Sequence, residues 1–165
     1  MVYLALGGAF LQLHRYEEAI QQARQSLELD PNFARAFNLL SIADLFKGAQ
    51  AEAIHEAERA VVVSDSGVEY LGWLGFVYGM VGQKAEAGKL LARVQQLSKT
   101  QFVSPALYAL IYAGTGDRDH AFQWLNRALE SHDPALEGLR VDPTFDSLRG
   151  DQRFTELIKK VGFPQ

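Results

Sequence analysis

Leu74-Gly75-Phe76-Val77-Tyr78, followed by Gly82 and Ala87, decides the fold. The stretch reads as a helix, a tight turn and a second helix, with small residues where the two helices touch. Its spacing recurs: Ala19, Ala53, Ala87 and Ala121 stand 34 residues apart (53 − 19, 87 − 53, 121 − 87). The turn residue moves with them, as His14, Gly48, Gly82 and Gly116. A fixed period of this length is the mark of a solenoid of helical hairpins, because one hairpin cannot bury its apolar face alone and stacking supplies the cover.

The composition agrees. The chain has 165 residues, 48% of them hydrophobic, which is ample for a packed core and argues against disorder. The net charge is −4 with no long basic run, which argues against nucleic acid as a partner. The acidity is uneven: residues 1–66 hold five Lys/Arg against nine Asp/Glu, and residues 67–165 hold eleven of each. With no cysteine, disulfides and thiolate metal sites are excluded, which fits a cytoplasmic location. No signal peptide is visible after Met1. The longest apolar run, Tyr70 to Gly82, is interrupted by glycines and is too short to span a bilayer.

Taken in order, the spacing predicts helices over about 2–13 and 16–29, 32–48 and 50–63, 68–82 and 84–98, and 104–116 and 118–131. Tyr3, Leu6 and Phe10 recur at helical spacing, and Ala19, Ala23 and Ser26 give the second helix a small-residue face. Asp30-Pro31 reads as an N-cap with proline in the first turn of the next helix. Asp44 falls where Phe10, Tyr78 and Tyr112 place an aromatic ring. Ser64-Asp65-Ser66-Gly67 is a turn and cap cluster. After Asp133 the period breaks. Asp133-Pro134 and Asp142-Pro143 predict two short capped turns, and Phe154, Leu157, Ile158 and Val161 predict a final amphipathic helix over about 152–161.

At these residues the chain resembles the tetratricopeptide repeat family, whose pattern is Leu-Gly-x-x-Tyr, then Gly, Ala, a large residue, Ala and Pro. It is carried by Leu6-Gly7-x-x-Phe10, Ala19 and Pro31; by Leu40-Ser41, Gly48, Ala53 and Ala60; by Leu74-Gly75-x-x-Tyr78, Gly82 and Ala87; and by Tyr112, Gly116, Ala121 and Ala128. The resemblance covers about residues 1–133. The closing proline survives only at Pro31, and the junction 99–104 is irregular, so the superhelix is expected to be distorted there. The tail is similar to the C-terminal segment of bacterial multi-domain proteins of this family. The resemblance implies an all-α, right-handed superhelical solenoid of four antiparallel hairpins, at about 1–33, 34–67, 68–101 and 102–133. A capping segment, 134–165, follows.

The resemblance also implies a function, protein–protein interaction, in which the first helix of each hairpin lines a concave groove. By register the groove positions are Leu4, Gly8, Leu11 and Gln12; Arg35, Asn38, Ile42, Leu45 and Phe46; Glu69, Gly72, Phe76, Gly79 and Met80; and Ala106, Leu110, Ala113 and Gly114. Arg35 and Asn38 alone do not make the carboxylate clamp of chaperone-binding relatives. The groove is apolar, and Gly72 and Gly79 flank Phe76, leaving room for a partner's helix or extended segment. The opposing expectation is that curvature and neighbouring repeats bury much of this surface. A runner-up reading makes the chain a C-terminal regulatory or oligomerisation module of a larger bacterial signalling or transcription protein. The uncapped start at Met1 leaves the outer face of the first hairpin open, which favours this reading and also a homodimer.

Enzyme readings fail on spacing. His55-Glu56-Ala57-Glu58-Arg59 begins like a zinc-protease helix, but Arg59 stands where the second histidine is needed. His14, His120 and His132 fall at turns or helix ends of different repeats, with no constellation around them. Gly114-Thr115-Gly116-Asp117 lacks the Lys-Ser/Thr of a phosphate loop and matches the repeat turn instead. No nucleophile motif is present. The expectation is a non-enzyme without cofactor or metal, with a protein or peptide partner and neither nucleic acid binding nor membrane insertion.

Overall fold

The computed structural model of the protein describes residues 2–162 and shows helical hairpins stacked in sequence. Met1 and residues 163–165, the ends of the expected first repeat and of the tail, lie outside the described residues. The hairpins are α1 (Val2–Gln12) with α2 (Tyr16–Leu29), α3 (Ala34–Lys47) with α4 (Gln50–Val63), α5 (Val68–Met80) with α6 (Lys84–Leu97), and α7 (Pro105–Thr115) with α8 (Arg118–Glu130). Two short 3-10 turns, Pro134–Gly138 and Pro143–Leu148, and a last helix α9 (Gln152–Val161) complete the chain.

The 34-residue period is visible in the backbone itself. His14, Gly48, Gly82 and Gly116 have φ of 56, 93, 83 and 80°, so each hairpin turns through one left-handed residue. Three of the four are glycine, which takes this conformation without a Cβ clash. Beyond the turn, Ala19, Ala53, Ala87 and Ala121 are fully buried and let the second helix of each pair approach the first. Ser41, in the place of Gly7 and Gly75, donates its hydroxyl to the Ala53 carbonyl at 2.7 Å, so the polar atom at this buried contact is satisfied.

Asp30-Pro31 corrects one expectation. The helix begins at Ala34 with Phe33 as its N-cap, and Asp30 ends α2, its side chain accepting from the Asn32 amide at 3.1 Å. The pair forms a turn between helices because the carboxylate satisfies a backbone N–H two residues on, in competition with helix.

Asp44 is buried in α3, near Arg24 of α2 and Lys47 of its own helix. Burial pushes its carboxyl up, with Arg24 and Lys47 working against that shift. Glu56 of α4 is likewise raised, chiefly by burial, and its Oε2 is buried without a hydrogen-bond partner. The missing ring is therefore replaced by a polar seam between the first two hairpins. In the third hairpin Tyr78 keeps the ring and donates to Glu58 of α4 at 2.7 Å. Burial and that hydrogen bond push its hydroxyl up to about 12.

The junction at 99–104 is where the regular stacking changes. α3 packs on α2 and α5 on α4, each continuing the solenoid, but α7 meets α6 only slightly and lies instead along α5. Three α5 glycines make this seam. Gly72 faces Leu107, Gly75 faces Ile111, and Gly79 lies against the backbone of Gly114 and Thr115. A Cβ on Gly79 would come within 2.6 Å of the Gly114 carbonyl carbon, and one on Gly114 within 2.6 Å of the Phe76 carbonyl oxygen. Only hydrogen fits on either side.

Candidate functional site

The α5–α7 seam relocates the expected groove. Gly72, Phe76 and Gly79 are buried, and the space that the two glycines leave is occupied by the chain's own α7. Leu110, Ala106, Ala113 and Gly114 are buried from the other side of the same seam. Ile42 and Leu45 are also buried, 1% and 8% exposed, within the cluster that runs from α3 to the tail. The expectation of open surface is thus corrected at these positions. The physical cause is that the missing regular turn at 99–104 lets two apolar first helices collapse on one another, removing their surface from water.

The remaining expected residues keep access to solvent. Leu4, Gly8, Leu11, Asn38 and Phe46 are half-buried, and Gln12, Arg35, Glu69 and Met80 are exposed. They belong to α1, α3 and the two ends of α5. Phe46 stacks on Tyr16 with ring centroids 5.8 Å apart, which fixes one end of the surface. Asn38 brings a buried, unpartnered Oδ1 to it. Burial first, then Glu69, raises the hydroxyl of Tyr70, and Arg35 opposes the shift, so Arg35, Glu69 and Tyr70 form one electrostatic group across α3 and α5.

The tail does more than cap the last hairpin. α9 packs on α8 through Phe154 and Leu157, with Ile158 and Val161 half-buried beside them. Arg153 ties the two helices together: it bonds Asp119 at 2.8 Å and Asp151 at 2.8 Å, and its guanidinium lies 4.3 Å from the centroid of Phe122. Those bonds hold the Asp151 carboxyl down at about 2. The second 3-10 turn packs on α7. Its Asp146 lies near enough to Tyr16 of the first hairpin for its charge to add to burial in raising that hydroxyl. The tail therefore covers both helices of the last hairpin.

Sequence reasoning missed the cavity that this creates. It has a volume of about 410 Å³ and lies between the start of α5, the 102–104 loop, the start of α7 and the two 3-10 turns. Trp73, Leu107, Leu110, Leu136, Leu139 and Phe145 form its apolar wall, with Phe102 beside them, 83% exposed. Asp133 builds one side. Its Oδ2 accepts from the Ser104 hydroxyl and from the Ala106 amide at 3.2 Å, while its Oδ1 accepts from the Ala135 amide at 3.0 Å. One buried carboxylate thus caps α7 and the first 3-10 turn together. The sequence signals were the irregular junction at 99–104 and the two Asp-Pro pairs, but neither says that they meet.

None of the histidines gathers ligands. His14 bonds the Tyr16 hydroxyl at 2.8 Å, and His120 bonds Asp117 at 2.7 Å while stacking on Tyr112. Among the described residues no group of His, Cys, Asp and Glu is disposed to hold a metal ion, and no helix is long and apolar enough to cross a membrane.

The comparisons bear on the first hairpin. Residues 1–33, which include α1 and α2, match the family model of the tetratricopeptide repeat. No match was found among curated proteins. The match covers one hairpin, and the successive pairing of helices continues the same helical-hairpin architecture along the rest of the described residues.

Proposed function

We propose that the chain is a protein-interaction scaffold that holds a peptide or helix of a partner against the first helices of its N-terminal hairpins. The observation that carries this is the accessible set Leu4, Leu11, Arg35, Asn38 and Phe46, which mixes apolar contact area with a cation and a half-buried amide. Repeats of this family generally mediate protein–protein interaction. A photo-crosslinking residue placed at Leu4 or Arg35 in living cells tests the reading. It is expected to trap one defined protein, whereas the same residue at Gln21 or Lys89, on second helices, traps none. Equal or absent trapping at all four positions sinks the proposal.

A second reading, an oligomerisation or regulatory module of a larger bacterial signalling or transcription protein, draws on α1. Val2 (78%), Tyr3 (38%) and Leu6 (43%) on α1, and Leu13 (64%) just after it, leave apolar side chains in solvent, the kind of exposure that marks interaction sites when it is contiguous. Under this reading the chain self-associates, light scattering gives a dimer mass, and Leu6→Glu returns it to a monomer. A monomer mass for the unaltered chain removes this reading.

A further inference from the structure

We infer that the cavity behind Phe102 is a second docking site, for a partner polypeptide that inserts a bulky apolar side chain flanked by Lys or Arg. Three observations select this occupant. The wall is apolar and the volume, about 410 Å³, lies in the range of sites that bury a bulky guest. The lining carries three carboxylates, Glu69, Asp133 and Asp142, and no Lys, Arg or His. Phe102 stands in solvent at its side, on the loop that joins the third hairpin to the fourth.

The three carboxylates are not equivalent. Asp133 is committed to the Ser104 hydroxyl and two backbone amides. Asp142 uses Oδ1 to accept from the amide and hydroxyl of Thr144, at 2.9 and 2.7 Å, which leaves Oδ2 uncommitted. Glu69 is exposed and forms no salt bridge among the described residues, and it shares Tyr70 as a neighbour with Arg35. The nearest cation to Asp142 is Arg149, which is held by the carbonyl oxygens of Arg140 and Asp142 and by Asp146, and does not line the cavity. The cavity therefore presents an apolar interior with no cation in its lining and the exposed Glu69 carboxylate at its edge, while burial pushes the Asp142 carboxyl up. A guest with an apolar centre and positive flanks complements both; a guest with acidic flanks meets like charge on desolvation. The cavity wall uses none of Leu4, Leu11, Arg35, Asn38 and Phe46, although Glu69 at its edge shares Tyr70 as a neighbour with Arg35, so either site can fail without the other.

The test uses the full chain and two blocked pentapeptides, Ser-Lys-Trp-Lys-Ser and Ser-Glu-Trp-Glu-Ser, titrated against amide NMR signals. The lysine peptide is expected to give saturable shifts centred on Phe102, Val103, Leu136 and Leu139, and the glutamate peptide at least tenfold weaker ones. Glu69→Lys, at an exposed position that leaves the core untouched, is expected to weaken the lysine peptide about fivefold, the scale of a partly exposed charge pair. Phe102→Ser is expected to weaken both peptides. Shifts centred on α1 and α3 instead, equal binding of the two peptides, or indifference to Glu69→Lys would overturn the inference. So would saturable binding of tryptamine with none of the lysine peptide, since that makes the cavity a small-amine site.

Discussion

Replacing single glycines by alanine along the chain should give opposite signs at positions that local helix propensity treats alike. In Gly79→Ala the new methyl would stand 2.6 Å from the Gly114 carbonyl carbon and 2.7 Å from the Thr115 amide nitrogen, where ordinary contact begins at 3.4 Å. The deficit is 3.4 − 2.6 = 0.8 Å. The obstacle is backbone on both sides, so no rotamer change relieves it, and α5 and α7 must part. A gap of that size forfeits roughly a quarter to a half of each dispersion contact along the seam, which includes those of Phe76, Leu107 and Ile111. Overpacking of this kind costs about 1–3 kcal/mol, and here it belongs at the upper end, against a gain of roughly 1 kcal/mol from helix propensity. The net expectation is a loss of about 2 kcal/mol, or roughly 4–8 °C in Tm for a chain of this size. Gly88→Ala in α6 meets nothing within 4 Å and should stabilise by about 0.5–1 kcal/mol. Gly72→Ala meets the Leu107 side chain first, and not backbone, so a side-chain shift relieves part of the clash and the expected effect falls between the two. Urea denaturation followed by far-ultraviolet circular dichroism gives all three numbers. If Gly79→Ala is as stable as Gly88→Ala, the seam is not as close as described and the relocation of the groove loses its basis.

Asp133→Ala removes the cap of two helical segments at once, and a loss of about 2–3 kcal/mol in the same denaturation series is expected, against about 1 kcal/mol for a single cap; a loss no larger than a single cap would argue against the shared role. Asp44 and Glu56 both have raised carboxyl pKa values. For such groups the folded state disfavours ionisation, so their contribution is intact below the ordinary carboxylate range and is lost as pH rises through it to the raised values. Asp44→Asn and Glu56→Gln should therefore raise Tm at pH 7, with the difference vanishing toward about pH 4; a pH-independent difference would show that charge is not the cause. Arg153→Ala should lower Tm and make α9 proteolytically labile, and added salt should narrow the gap to the unaltered chain, because two ion pairs are lost with the contact to Phe122. Deleting residues 134–165 uncovers Leu110 and Phe122 together and should give an aggregating chain; a monomer with unchanged Tm would refute the covering role of the tail.

Much of the fold was legible because a period is a property of composition at fixed spacing. Ala19, Ala53, Ala87 and Ala121 mark a contact that each hairpin must make, and the helix ends follow from turn residues at His14, Gly48, Gly82 and Gly116. The tail was legible for a different reason: Asp-Pro pairs and the Phe154–Val161 stripe are local signals. What was not legible was the approach of α7 to α5. Gly72, Gly75 and Gly79 announce that something comes close to this face, but a glycine carries no record of what approaches. Register from the repeat assigned the space to a partner, and the chain filled it itself. Ile42 was misplaced for a related reason, since inward and groove-facing positions of one helix differ only in how strongly the next repeat curves over it. Arg35 and Leu4 keep access to solvent because their exposure depends on their own hairpin and its neighbour.

The collapse of α7 onto α5 also changes how the molecule should come apart. In an evenly stacked array each repeat is coupled to its neighbour by similar interfaces, and unfolding can start at either end. Here the apolar residues divide into a large cluster running from Ile42 to Leu157 and a small one made by Ala19, Ile20, Ala23, Leu39, Leu40 and Ala43. The first hairpin depends on the small cluster, while the last two hairpins and the tail share the large one. Amide protons of α1 and α2 should exchange through a shallow opening, and those of α5, α7 and α9 should be released together at a higher free energy, as one cooperative block.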